Sequence, residues 1–297
     1  MTPENGIYHN WVVLLNTLLQ QPIVSPRGKP CREAIHTRLI IEDAYQNILI
    51  DPERKLNYRF LVAQWLTTQL GLEDKLLERF NKNLAGYETD GQGGVYPSYG
   101  PRLAPQWPFI LGTLSRDPES RQAVMSIWEA QSDIKITAYE RYVPCTLSLQ
   151  FLLRRQSEWT SRNWYLHIIA TMRSSDAWLG LPYDIYNFTM LGNFLVGALR
   201  HALRWPIALG SITLNLGSSH IYEPHWELAR GIVNAPMGRS GRSPQLPTSL
   251  SLPAGINRLV DPSALGFELN DVWKIYEKVL ASATNAEALA YLEDVRA

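Results

Sequence analysis

Arg173-Ser174-Ser175-Asp176-Ala177-Trp178-Leu179-Gly180-Leu181-Pro182-Tyr183-Asp184-Ile185 sets an arginine, two aspartates and a Leu-Gly-Leu-Pro turn directly before a long apolar run. That run, Tyr186 to Arg200, is long and mostly apolar and reads as a helix. Arg173 offers a planar fork of donors suited to a phosphate. A single arginine is more often part of a surface ion pair, but Asp176 and the turn beside it argue for a site. Asp184 precedes the helix, so an N-cap role competes with any role in binding.

Upstream, Arg141-Tyr142-Val143-Pro144-Cys145-Thr146 places a thiol directly after a proline, at the mouth of the apolar run Leu147 to Leu153. Cys145 is either a core filler or a nucleophile presented at a strand start. Leu147 to Leu153 and Trp164 to Thr171 alternate like paired strands, and Ile212 to Leu216 reads as another. The polar cluster Gly217-Ser218-Ser219-His220-Ile221-Tyr222 follows it. Helices are expected over Ile7 to Leu19, Tyr58 to Leu70, Glu73 to Leu84, Trp107 to Leu114, His225 to Val233, Asn270 to Ser282 and Asn285 to Glu293. His36 to Asp51 reads as a strand pair, and Val124 to Trp128 as a strand after the Asp117-Pro118-Glu119-Ser120 turn. Loops are expected over Gln20 to Arg32, over the glycine-rich Tyr87 to Pro101, and over 235–255. Strands and helices mix without a βαβ rhythm, so the fold class is α+β, in a single domain spanning 1–297.

The chain has 297 residues, with 28 basic and 28 acidic side chains. Zero formal net charge disfavours nucleic acid as a partner while leaving a small anionic substrate open. No apolar run reaches the roughly 18 residues of a membrane span. Two cysteines and no signal-like N-terminus point to a reducing cytoplasm. No metal is expected.

Four segments together resemble the thymidylate synthase family, which includes the cytidylate hydroxymethylases. They are Asp117-Pro118-Glu119-Ser120-Arg121, Tyr142-Val143-Pro144-Cys145, the stretch from Arg173 to Ile185, and Gly217-Ser218-Ser219-His220-Ile221-Tyr222-Glu223-Pro224-His225. The resemblance runs from about Arg27 to His225 by the order and spacing of such segments. It implies a mixed β-sheet with flanking helices, a sheet-to-sheet homodimer, a nucleoside monophosphate substrate and 5,10-methylenetetrahydrofolate as one-carbon donor. It also implies roles. Cys145 adds as thiolate to C6 of a pyrimidine, and nearby arginines lower its pKa. Arg173 holds phosphate, with Arg27 or Arg32 from a phosphate-binding loop and Arg121 reaching across the dimer interface. His220 and Tyr222 hold the sugar 3′-hydroxyl. Ser174 lies near the sugar, where a side chain crowds a 2′-hydroxyl and so tilts the reading to deoxyribose. Asp176 contacts the pterin, and Tyr99 handles a proton at C5. Glu223 and His225 remain supporting groups.

Asp184 is the most informative position. The thymidylate branch has asparagine here, and the cytidylate hydroxymethylases have aspartate. A carboxylate accepts from the cytosine amino group and opposes a carbonyl oxygen, and a protonated carboxyl also serves N3. The resemblance therefore implies C5 hydroxymethylation of a cytosine nucleotide, dCMP before CMP. Methylation of dCMP or dUMP is the alternative within the same chemistry, and a catalytically weakened nucleotide-binding homologue that keeps the pocket is the alternative of another functional class. Three departures matter. Gln64 stands where the family has a proton-transferring glutamate, and an amide cannot transfer a proton. Thr146 follows the cysteine where histidine is common. The final residues, Leu292 to Ala297, differ from the apolar family tail that closes over folate. Easier water access then favours hydroxymethyl over methyl.

Overall fold

The computed structural model describes residues 6–72, 74–82, 84, 98–134, 143–155, 163–235 and 277–294. Tyr142, positions 87–97 of the glycine-rich stretch and the 236–255 part of the expected loop lie outside them.

The centre is one seven-stranded sheet in the order β1-β2-β7-β5-β4-β3, with β6 paired to β7. The strands are β1 (Ile23–Val24), β2 (Cys31–Ile41), β3 (Val124–Ser126), β4 (Thr146–Arg155), β5 (Trp164–Met172), β6 (Ser175–Asp176) and β7 (Ile207–Tyr222). Pairings β1/β2, β2/β7, β4/β5 and β3/β4 are antiparallel, whereas β5/β7 and β6/β7 are parallel. Parallel neighbours need a crossover. Helix α6 (Leu181–Leu203) provides it between β5 and β7. The fold is thus α+β with a mixed sheet, as expected, but it does contain one βαβ unit. The sequence hid that unit because β7 begins at Ile207 and runs through the polar cluster to Tyr222.

Other expectations change in detail. Helices α1 (Ile7–Leu19), α2 (Tyr58–Gln69), α4 (Trp107–Arg116) and α7 (Trp226–Asn234) lie where periodicity puts them. The C-terminal helix Asn285–Asp294 does too, and 277–281 is helical. The pair of strands over His36 to Asp51 is a single strand, β2. After Ile41 the Asp43 carboxylate accepts from the backbone N–H of Tyr45 and from Gln46 Nε2, turning the chain. Ile48 and Leu49 then enter the core from a loop, 1% exposed each. The Glu73 to Leu84 helix is a 3-10 turn over Asp74–Arg79. The loop over Gln20 to Arg32 contains β1 and the start of β2. Tyr99 opens a short helix, α3 (Tyr99–Leu103), rather than lying in a loop.

Helices bury one side of the sheet. Leu149, Phe151, Leu153, Leu166, Ile168, Ala170, Ile212 and Leu214 join the buried cluster that also takes in Leu181, Ile185, Phe188 and Leu195 of α6. Alternate residues point the other way. Ile40, Leu152, Ile169, Thr171 and Thr213 stay half-exposed, so the described residues cover the opposite side only in part. Gly192 lets α6 sit close to the sheet, since a Cβ there would lie 2.3 Å from Ile168 Cδ1.

Tyr99 is fixed in place through its own helix. Arg102 of α3 forms a bidentate ion pair with Asp133, at 2.9 Å on each nitrogen, and donates to Ile127 O at 2.7 Å. Asp133 ends the short helix α5 (Ala130–Asp133) and also accepts from Glu129 N–H at 2.7 Å. The two side chains are 8% and 0% exposed. Removing one partner leaves a buried charge unpaired. Arg102→Met is expected to lower the unfolding free energy by about 3–5 kcal/mol in urea denaturation. A loss below about 1 kcal/mol, the ordinary worth of a surface pair, would show that α3 is held otherwise.

Candidate active site

Cys145 sits in the residue before β4, at an exposed position. Pro144 cannot donate into a ladder, so the strand begins only after it. The Arg173 guanidinium clasps the same turn, with Nε donating to Pro144 O and Nη2 to Val143 O, both at 2.8 Å. Nη2 also lies 3.8 Å from Cys145 Sγ, and the Arg173 N–H donates to Cys145 O at 2.8 Å. The thiol and the guanidinium are therefore mutually positioned. The thiol's pKa is nevertheless raised. Although the residue is exposed at the surface, desolvation of its thiol by the protein around it is the largest cause; Asp184 and Asp176 add to it, and Arg173 and Arg27 oppose it. The arginines do lower it, as expected, but desolvation outweighs them.

The parallel pairing of β6 with β7 sets Asp176 directly opposite His220, and the β2/β7 pairing sets Glu33 opposite it on the other side. Direct partners in a sheet share a face. His220 thus stands between two carboxylates, with the Tyr222 ring edge-on at 5.0 Å. Burial pushes its pKa down, Asp176 and Glu33 push it up, and Arg27 and Arg173 push it down again. These four charged groups and the imidazole gather at the edge of the β4 start.

Asp184 lies in the first turn of α6, where Gly180 is the N-cap, so the N-cap role for Asp184 is corrected. Its carboxyl pKa is raised to about 7, first by burial and then by Asp176. The positive end of a helix lowers a carboxyl pKa, so burial outweighs the helix here. Tyr99 Oη accepts the Thr146 N–H at 3.1 Å, and burial with Cys145 and Asp184 nearby keeps the phenol protonated. Gln64 lies on α2 one turn before Thr68, and Thr68 Oγ1 accepts from Asn187 Nδ2 at 3.4 Å. Asn187 is one helical turn after Asp184. Gln64 Oε1 and Asn187 Oδ1 are buried without a protein hydrogen-bond partner among the described residues.

The raised Asp184 pKa has a direct consequence for stability. The folded protein holds a proton at Asp184 that the unfolded chain releases near its ordinary value of 3.8. The contribution is therefore full below about pH 4 and is lost as pH rises through about 7. Asp184→Asn is expected to melt above the parent protein at pH 8, with the gap closing towards pH 4. An equal gap at both values would show that Asp184 is ionised in the fold.

Other expected residues fall differently. Arg27 sits in a tight left-handed turn, φ 53, ahead of Gly28 at φ 73, and bears electrostatically on Cys145 and His220. Arg32 places its guanidinium 4.9 Å from the Trp226 ring and donates to Gln21 O. Ser174 is half-buried beside Arg173. Arg121 is exposed, and its carbonyl accepts from Gln150 Nε2 at 3.0 Å. Gln150 is five residues along β4 from Cys145, about 17 Å of strand, so Arg121 does not join the Cys145 group of its own chain. Cys31 is buried, as expected. The sequence missed Arg54. Its Nε donates to Trp178 O at 2.7 Å, and its guanidinium lies over Trp178 and Tyr183, bracing the Leu-Gly-Leu-Pro turn. Trp178 in turn stacks on His225 at 5.5 Å.

A family model described as "Thymidylate synthase" matches residues 92–259, more than half of the chain. Gln64 and Arg27 precede that span. A protein of Methanosarcina barkeri described as "Putative thymidylate synthase" is 26% identical over 72% of this chain and 84% of its own length. One with the same description from Methanocaldococcus jannaschii is 28% identical over 51% of this chain and 65% of its own length. The "Thymidylate synthase" of Coxiella burnetii is 26% identical over 62% of each. Together with the sheet order and the grouping around Cys145, these matches lead to one conclusion: the chain belongs to the thymidylate synthase family.

Proposed function

We propose that this protein transfers a one-carbon unit to C5 of a cytosine nucleotide, dCMP before CMP, and releases the 5-hydroxymethyl product. The observation that carries the reading is Asp184, a carboxyl of pKa about 7 in the site that holds Cys145 and Tyr99. Such a group is matched to sharing a proton near neutral pH. Cytosine N3 accepts that proton. The protonated base then presents two donors, N3–H and N4–H, to the two oxygens of one carboxylate. Uracil presents one donor and one acceptor on the same edge. The cytidylate hydroxymethylases carry aspartate at this position, which ties the cytosine reading to the hydroxymethyl product.

Arg173 and Arg27 hold the phosphate, and Arg121 of the partner subunit adds a third cation. The half-exposed sheet face with Ile40, Leu152 and Ile169 is the surface for a sheet-to-sheet homodimer. His220 and Tyr222 hold the 3′-hydroxyl, and Ser174 fills space beside C2′. Cys145 adds as thiolate to C6, and the Arg173 and Arg27 guanidiniums beside it oppose the desolvation that raises its pKa. Addition moves electron density to C5. Tyr99 relays the C5 proton, and the Gln64 and Asn187 oxygens offer hydrogen-bond acceptors near the base. A water oxygen completes the hydroxymethyl group, and the thiolate leaves C6 as the ring double bond re-forms.

The residues fit 5,10-methylenetetrahydrofolate as donor. Asp176 Oδ1 accepts the N–H groups of Trp178 and Leu179 at 2.9 and 2.8 Å, while Oδ2 has no hydrogen-bond partner among the described residues. Leu179 is 50% exposed beside it. A carboxylate oxygen next to an open apolar side chain suits a flat pterin with an N–H edge. When bound, the folate supplies carbon at the oxidation level of formaldehyde. The free thiols of Cys31 and Cys145 suit a reducing cytoplasm. No described helix is long and apolar enough to cross a membrane. We place the whole of 1–297 in one domain.

Incubation of the protein with C5-tritiated CMP, dCMP, UMP and dUMP and the folate donor tests the base. Release is expected fastest from dCMP; faster release from dUMP contradicts the reading. Gln64 favours a second reading, a nucleotide-binding homologue with weakened chemistry. Tight nucleotide binding with no release from any of the four would select it.

A further inference from the structure

Strands β5 and β7 keep step from Trp164 opposite Ile207 to Leu166 opposite Leu209, and again from Ile168 opposite Ile212 onward. Between these runs His167 faces two residues of β7, Gly210 and Ser211, which makes a β-bulge. A side chain closes it. Ser211 donates its backbone N–H to His167 Nδ1 at 3.2 Å, and Ser211 Oγ lies 2.9 Å from the same nitrogen. Gly210 leaves the room for the ring, since a Cβ there would lie 2.8 Å from both Cε1 and Nδ1. A ring nitrogen that accepts an N–H carries no hydrogen, so the imidazole is neutral with its hydrogen on Nε2. His167 is half-buried on the open side of the sheet, opposite Leu152 of β4. It stands five residues along β5 from Met172, the strand partner of Thr146, about 17 Å from the Cys145 end of the sheet.

We propose that His167 is a pH-sensitive pin in the sheet, whose neutral ring closes the bulge and whose protonated ring releases Ser211 and loosens β5 from β7 on the open face. The inference is independent of the nucleotide reading. Protonation puts a hydrogen on Nδ1, facing the Ser211 N–H across 3.2 Å. Ser211 Oγ can answer by turning from donor to acceptor, but a backbone amide can only donate. The half-buried amide then lacks an acceptor, which costs stability. Among the described residues, the charged groups bearing on the ring are Arg154 of β4 and Glu42, directly after β2, while β7 presents the uncharged Gly210 and Ser211. Burial first and Arg154 next hold the ring below its ordinary 6.5, and Glu42 opposes them. A group lowered in this way stabilises the fold above its unfolded value, and that contribution is lost as pH falls below about 6.5.

Nitrogen-15 NMR of the parent protein at pH 8 tests the geometry first. The Nε2–H tautomer is expected, and an Nδ1–H tautomer overturns the proposal. Urea denaturation at pH 8 and pH 5, at one protein concentration, then compares the parent with His167→Asn. The asparagine Oδ1 can take the place of Nδ1 and accepts at either pH. Between pH 8 and pH 5 the unfolding constant of the parent is expected to rise by about fivefold more than that of the variant, the ordinary worth of one hydrogen bond. Equal pH responses overturn the proposal. Should the variant fail to fold, amide exchange in the parent decides. Corrected for its intrinsic pH dependence, protection of the Ser211 amide is expected to fall by about fivefold more than that of Leu214 on the same strand. An equal fall at the two amides overturns the proposal.

Discussion

Asp184→Asn is expected to reverse the base preference of the protein, changing the ratio of kcat/KM for dCMP over dUMP by on the order of a thousandfold. The carboxyl and the amide have nearly the same shape, so the change is one of protons rather than packing. The carboxyl can give a proton to cytosine N3 and then accept from N3–H and N4–H together. The amide cannot transfer a proton, but its donor and acceptor match uracil O4 and N3–H. A wrong base leaves buried polar groups unpaired, which is why discrimination by such sites is large. A ratio that stays within about threefold of the parent's would remove Asp184 as the reader of the base.

The pH profile carries the same prediction in another form. The proposed reaction on cytosine needs Asp184 protonated, with a pKa of about 7, and Cys145 ionised, with a pKa raised above its ordinary value. Below about pH 7 the acid is already protonated, so kcat/KM climbs with the thiolate fraction. Above about 7 the gain in thiolate is cancelled by loss of the acid, and the profile levels off until the thiol itself titrates. Asp184→Asn acting on dUMP has no such acid. Its profile should keep climbing through pH 7 towards the thiol pKa.

Cys145→Ala is expected to lower turnover and C5 tritium release by on the order of 10⁴ or more. Nucleotide binding should stay within about threefold, because phosphate, sugar and base are held by other side chains. Arg173 makes this test sharp. Its Nε and Nη2 bonds go to Pro144 O and Val143 O, not to the sulfur alone, so the proposed phosphate site is expected to survive loss of the thiol. Isothermal titration beside the tritium assay separates the two quantities. Tritium release that persists in the variant would show that another group attacks C6.

Much of the architecture is legible in the chain because α1, α2, α4 and α6 carry helical periodicity and β4 and β5 alternate cleanly. What the sequence hides has physical causes. Polar residues from Gly217 to Tyr222 look like a loop, yet they form strand because β2 and β6 pair with them on both sides. Ile48 and Ile50 alternate like a strand but follow a turn held by Asp43, a side-chain effect with no periodicity. The Arg173 to Ile185 stretch is legible because its residues are adjacent in sequence. Glu33 and Arg54 are not legible, because their neighbours are created by register and by packing against Trp178. The thiol shows a different limit. Neighbouring arginines can be inferred from sequence, but the larger opposing effect of desolvation depends on how the folded chain surrounds the thiol.

Product identity tests the central claim most directly. The parent protein, dCMP and 5,10-methylenetetrahydrofolate should be combined and the nucleotide and folate products identified by mass spectrometry. One C5–H, one methylene carbon and one water should give 5-hydroxymethyl-dCMP and tetrahydrofolate, with no dihydrofolate. A 5-methyl nucleotide accompanied by dihydrofolate would contradict the account.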